Sequence, residues 1–83
     1  MKLQLRYFAS IREGLGLGQE PVETEAATLG ALRDELLARG GAYAALLARG
    51  RAVRMAVDQQ MQDESAALHE GAEVAFFPPV TGG

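Results

Sequence analysis

The 83-residue chain, 48% hydrophobic but only 6% aromatic, has apolar content for one compact domain and no length for a second. So short a chain buries only about 60–65% of its unfolded surface, and with much of its apolar fraction in alanine it is not expected to enclose a deep substrate cavity. A net charge of -3, with Lys2 the sole lysine among seven scattered arginines, lacks the clustered basic face that nucleic-acid phosphates require, and the absence of cysteine excludes a disulfide framework, a thiolate zinc site, an iron–sulfur cluster and a cysteine persulfide.

The sequence opens directly on an alternating segment, without a charged-then-apolar leader, and holds no apolar run of about 18 residues, so a soluble cytoplasmic protein with no membrane partner is expected. Over residues 2–8, Leu3, Leu5 and Tyr7 point one way and Lys2, Gln4, Arg6 and Phe8 the other, the period of a half-buried strand. Phe8 is the one apolar residue on the otherwise polar face. Gly14, Gly16 and Gly18 then supply turn residues, and Val22, just after Pro21, suggests a short second strand within residues 20–25. These two segments read as a hairpin.

Thr28 suits a helix N-cap, Leu29, Leu32, Leu36 and Leu37 fall on one helical face, and Gly40-Gly41 offers a stop. Residues 42–49 read as a short second helix carrying Tyr43, Leu46 and Leu47, or as an irregular turn. Val53, Met55 and Val57 alternate with Ala52, Arg54 and Ala56 to give a third strand, Gln60-Met61-Gln62 a short fourth, and residues 73–77 a last one cut off by Pro78-Pro79. The order β-β-α-β-β-β predicts an α+β fold, a mixed sheet with one main helix packed on one face. That is the ubiquitin-like β-grasp plan, with a domain over residues 1–77 and an extended tail over 78–83.

Two consecutive prolines hold the chain out of the helical region and donate nothing to a sheet ladder, so the last strand is expected to leave the sheet extended. The six residues 78–83 span on the order of 20 Å, enough to enter a partner's active site. Gly82 and Gly83 have no Cβ to block a narrow channel. A terminal carboxylate, with a reference pKa near 3.5, is ionised and a poor electrophile at neutral pH until activated, for example as an acyl-adenylate; sulfide transfer to that acyl group leaves a thiocarboxylate. A glycine pair alone is weak evidence, but strand, stiff exit and uncluttered end follow in the order a carrier needs.

The run Phe76-Phe77-Pro78-Pro79-Val80-Thr81-Gly82-Gly83 resembles the terminal signature of molybdopterin synthase small subunits, in the MoaD/ThiS family of ubiquitin-like sulfur carriers. Tyr7-Phe8-Ala9 followed by Arg12-Glu13, and Thr28-Leu29 opening a helix, extend the resemblance over essentially the whole chain. Ala72, where an acidic residue is expected after Gly71, and the Gly-Leu-Gly-Leu-Gly stretch depart from it. The resemblance implies that an ATP-dependent adenylating enzyme activates Gly83, that a sulfur donor converts it to a thiocarboxylate, and that the synthase large subunit delivers the sulfur to a cyclic pterin precursor in molybdenum cofactor biosynthesis. It further implies that Val80, Thr81 and Gly82 thread into that subunit, which supplies the general acid and base, and that no cofactor is bound permanently, ATP being used by the activating enzyme. A thiamine-pathway or tRNA-thiolation sulfur carrier shares fold and chemistry, and a ubiquitin-like protein modifier is the alternative of a different class.

In the β-grasp plan the first and last strands run parallel and adjacent, so Phe8 and Phe77 are expected side by side on the face opposite the helix, with Met61 at the margin, as the interface to the large subunit; the competing reading folds one phenylalanine inward beneath a loop. The three early glycines do not fit a dinucleotide-binding loop, because the third comes one position too soon and no helix pattern opens there. His69, near Glu64 and Glu70 but with no second His or Cys, reads as a solvated turn residue, as do Asp58 and Asp63, and no metal site is expected.

Overall fold

In a computed structural model that describes residues 1–79, the alternation of the first segment becomes β1 (Lys2–Tyr7), with Leu3, Leu5 and Tyr7 buried. Its counterpart β5 (Glu73–Phe77) buries Val74 and Phe76. The two lie parallel at the centre of the sheet, Tyr7 level with Phe76. Antiparallel pairings add β2 (Gln19–Glu23) to β1, β3 (Arg54–Val57) to β5, and β4 (Gln60–Met61) to β3, giving one mixed five-stranded sheet in the order β2-β1-β5-β3-β4. Pro21 sits on the edge strand β2, where a missing N–H need not break a ladder.

Helices cover one face. The main one, α2 (Leu29–Leu37), is capped by Thr28, whose hydroxyl accepts the Ala31 N–H at 3.2 Å, and it buries Leu29, Leu32 and Leu36. These leucines join the inward residues of β1, β3 and β5 in a single core with Ile11 and Leu47. The alternative left open over residues 42–49 resolves as a helix, α3 (Gly41–Leu47). This is the β-grasp plan, a mixed sheet with its main helix on one face.

The early glycines do not form a tight hairpin turn. The strands they join do pair, Leu3 opposite Val22, but the connection folds into a helix, labelled α1 (Ala9–Leu15), so the order is β-α-β-α-α-β-β-β rather than β-β-α-β-β-β. Seven residues with Ile11 as the only buried side chain show too little amphipathic period to be read as a helix. Tertiary contact holds it: a Cβ on Gly14 would lie 2.5 Å from Leu46 Cδ1, so that glycine permits close approach to α3. Gly16, at φ 82°, is the left-handed cap that returns its N–H to Arg12 O at 2.9 Å. The strand predicted through Phe8 also ends one residue early, because Phe8 becomes the N-cap position of this helix. Ala72, the departure noted above, is fully buried behind the left-handed Gly71, a place where a carboxylate would be desolvated.

Charged groups on the helical side are tied down. Arg33, 4% exposed, donates through Nε to Leu47 O at 2.7 Å and through Nη2 to Ala48 O at 3.0 Å, so it satisfies the carbonyls that end α3. Arg49 bridges Asp34 and Glu64. Glu20 Oε2 accepts the hydroxyls of Tyr7 at 2.8 Å and Tyr43 at 2.7 Å while Arg39 donates to both of its oxygens. Burial pushes the Glu20 carboxyl up, but the two tyrosine hydroxyls and Arg39 outweigh it and hold the group below its ordinary value. Burial and the bond to Glu20 push the Tyr7 hydroxyl well up. Among the described residues no helix is long and apolar enough to cross a membrane.

Candidate docking face and tail exit

β1 and β5 are parallel and end level with one another, and β3, antiparallel to β5, begins there with Arg54 opposite Phe77. This end of the sheet is the exit edge, because Pro78 and Pro79 continue from it. Tyr7 and Phe76 turn inward and stack, ring centroids 6.0 Å apart at 23°. Their successors therefore turn outward. Phe77 is half-buried on the face away from the helices, and Phe8 keeps extended backbone angles, donates its N–H to Phe76 O at 3.2 Å and leaves 38% of its surface exposed.

One row deeper, the register runs Arg6, Ala75, Ala56, Met61 across four strands. Met61 is 59% exposed. Strands about 4.8 Å apart place it roughly 10 Å from Ala75 on β5, with Ala56 between, so the face is a low apolar floor rimmed by two aromatic rings and a thioether. The structure thus brings Phe8 and Phe77 side by side and sets Met61 at the margin, as the register argument predicts, and neither phenylalanine folds inward. Val80, Thr81, Gly82 and Gly83 lie outside the described residues.

Two further side chains belong to this face. Arg6 lays its guanidinium over the Phe8 ring, 5.5 Å from the centroid, with Glu73 at 3.7 Å; two residues apart on a strand, Arg6 and Phe8 necessarily share a face, which was the available clue. Arg54 is exposed beside Phe77.

His69, Asp58 and Asp63 are engaged in holding turns. Asp58 and Gln59 make the β3–β4 turn with left-handed φ of 50° and 69°, and Asp58 accepts the Glu73 N–H at 3.0 Å and meets His69 Nε2 at 2.6 Å. Those contacts, the backbone N–H first and the imidazole second, hold the Asp58 carboxyl down. The bond to Asp58, then the Glu70 carbonyl, holds His69 up. Asp63 accepts the Ser65 N–H at 2.8 Å. No group of three His, Cys, Asp or Glu side chains placed to hold a metal occurs among the described residues. One open surface hollow of about 380 Å³ is lined by Val57, Asp58, Gln60, Gln62, Ala66 and Ala67, around the β3–β4 turn.

The molybdopterin synthase sulfur carrier subunit of Haemophilus influenzae is 37% identical over 81 residues, covering 98% of this chain and 99% of that one. SAMP1 from Haloferax volcanii superposes with a TM-score of 0.79 at 26% identity, the match covering 100% of both chains. A chain from the complex of subunits 1 and 2 of molybdopterin-converting factor from Helicobacter pylori 26695 superposes with a TM-score of 0.71 at 24% identity, again over 100% of both. The sequence model of the ThiS family matches residues 5–83, and the chain belongs to that family.

Proposed function

We propose that this chain is the sulfur carrier subunit of a molybdopterin synthase, and that it works by presenting Gly83 to other proteins rather than by binding a substrate itself. The observation that carries the reading is the placement of the Pro78-Pro79 exit beside the Phe8–Phe77 face, so that one end of the domain both docks and extends the carrier tail. The full-length similarity to a molybdopterin synthase sulfur carrier subunit supports the pathway. An adenylating enzyme joins the Gly83 carboxylate to the α-phosphate of ATP with loss of pyrophosphate, and sulfide supplied by the sulfur donor displaces AMP to leave the thiocarboxylate. The large synthase subunit, docked on Phe8, Phe77 and Met61, admits Val80, Thr81 and Gly82 and supplies acid and base for sulfur transfer to the pterin precursor. The described titratable clusters of this chain are spent on turns, on helix ends and on tying Glu20 of β2 to Tyr7, Tyr43 and Arg39, which accords with a partner doing that chemistry.

Intact mass after incubation with the adenylating enzyme, ATP and a sulfur donor tests the reading. A gain of about 16 Da on Gly83, one oxygen exchanged for sulfur, is expected. Sulfur on an internal residue contradicts it, and an amide formed between Gly83 and a lysine of another protein would instead favour the modifier reading that the likeness to SAMP1 keeps in view.

A further inference from the structure

We infer that Arg6 and Arg54 are the charges by which the docking face selects its partner, and that the surface it meets is an apolar recess flanked by carboxylates. The inference rests on the docking role proposed above and assigns the occupant as the large synthase subunit.

The chain as a whole is acidic, net -3, yet the two rows nearest the exit edge, Phe8–Phe77–Arg54 and Arg6–Ala75–Ala56–Met61, contain no Asp or Glu. On the helical side Arg33, Arg39 and Arg49 all have carboxylate partners at 2.6–3.4 Å. The outer face differs. The Arg54 guanidinium makes no ion pair or hydrogen bond among the described residues, and the two acids that line the same hollow of about 260 Å³ are committed elsewhere, Asp63 to Ser65 and Glu64 to Arg49 and Arg33. Arg6 reaches Glu73 only at 3.7 Å, keeps 43% of its side chain exposed and has a buried Nε with no hydrogen-bond partner.

An arginine resting over an aromatic ring, with no hydrogen bond to its guanidinium among the described residues, is held in place before any partner arrives, which lowers the ordering cost of a bidentate carboxylate contact. Arg54 flanks Phe77 in the same row and Arg6 lies over Phe8 one row deeper, so carboxylates meeting both fix the rotational setting in which the rings enter the recess. That setting aims the tail. Charge at such a rim acts mainly on association rate and on rejection of wrong partners.

The test measures binding of the large subunit from the same genome to Arg6→Glu, Arg54→Glu and the charge-neutral Arg6→Gln and Arg54→Gln, by stopped flow and calorimetry at low and high salt. Circular dichroism verifies the fold of each variant. Lys2→Glu, at the far end of β1, is the control for net charge. Each reversal is expected to weaken binding by about tenfold or more, mostly in the association rate, and to flatten its salt dependence, with the neutral variants intermediate and Lys2→Glu near wild type. Reversals that bind like wild type, or no worse than Lys2→Glu, overturn the inference. Reversals that spare the large subunit but abolish adenylation overturn the assigned occupant. Absence of a wild-type complex would overturn the function proposal instead, which keeps the two failures distinct.

Discussion

The helical side and the exit edge of this domain treat polar and apolar groups in opposite ways. Behind the sheet, Glu20 takes two tyrosine hydroxyls and an arginine, and Arg33 ends α3 by donating to its carbonyls. At the exit edge, aromatic and thioether surface stands in water with Arg54 unpaired among the described residues. A chain able to satisfy a buried guanidinium with three acceptors does not leave apolar rings exposed for want of core. Small domains need every apolar contact they can bury, so an exposed Phe8 and Met61 with a half-buried Phe77 beside a tail exit are surface withheld from folding for use in binding.

Neighbours in sequence break this comparison most sharply. Phe76 is fully buried and Phe77 lies on the other face, so truncating each isolates one job. Phe76→Ala is expected to cost about 3–5 kcal/mol of stability in chemical denaturation, from lost burial and the cavity left against Tyr7. Phe77→Ala is expected to cost about 2 kcal/mol or more of binding to the large subunit by calorimetry while leaving the denaturation midpoint nearly unchanged. Lost stability with unchanged affinity for Phe77→Ala would make that ring core and erase the distinction.

The smallest expected effect concerns the β3–β4 turn. His69 has a raised pKa, so its contribution is fully present below the ordinary histidine range near 6.5 and is lost as pH rises through the raised value. Asp58 has a lowered one, so its contribution is present above the ordinary aspartate range and is lost as pH falls through the lowered value. The pair therefore supports the turn only between those limits. Midpoints measured from mildly acidic to mildly alkaline pH should fall slightly for wild type and stay level for His69→Ala; an unchanged slope would show the contact contributes nothing.

Legibility in the sequence followed the range of the interactions. Leu3, Leu5 and Tyr7, the leucine face of α2 and the Thr28 cap are local periods and local chemistry, and each stands where the sequence placed it. Phe8 and Phe77 became legible once a parallel β1–β5 pair was assumed, because alternation then fixes which face they occupy. The first helix was hidden because its support is Gly14 against Leu46, a contact made by two segments distant in sequence. Gly16 is a turn residue in both readings, but it ends a helix rather than a hairpin. The states of Arg6 and Arg54 could not be read at all, since whether an arginine has a partner depends on what the fold brings opposite it.

Central to the account is a division of labour between the docking face and Gly83, and deleting Gly83 tests it most directly. The variant keeps Phe8, Phe77, Met61, Arg6 and Arg54 and still ends in a carboxylate, but its reach is shorter by about 3.4 Å, where a displacement of about 1 Å can already cost a hundredfold. Calorimetry with the large subunit beside a reconstituted sulfur-transfer assay is the measurement. The account predicts near wild-type affinity with transfer reduced at least about a hundredfold; full transfer, or affinity lost along with transfer, would contradict it.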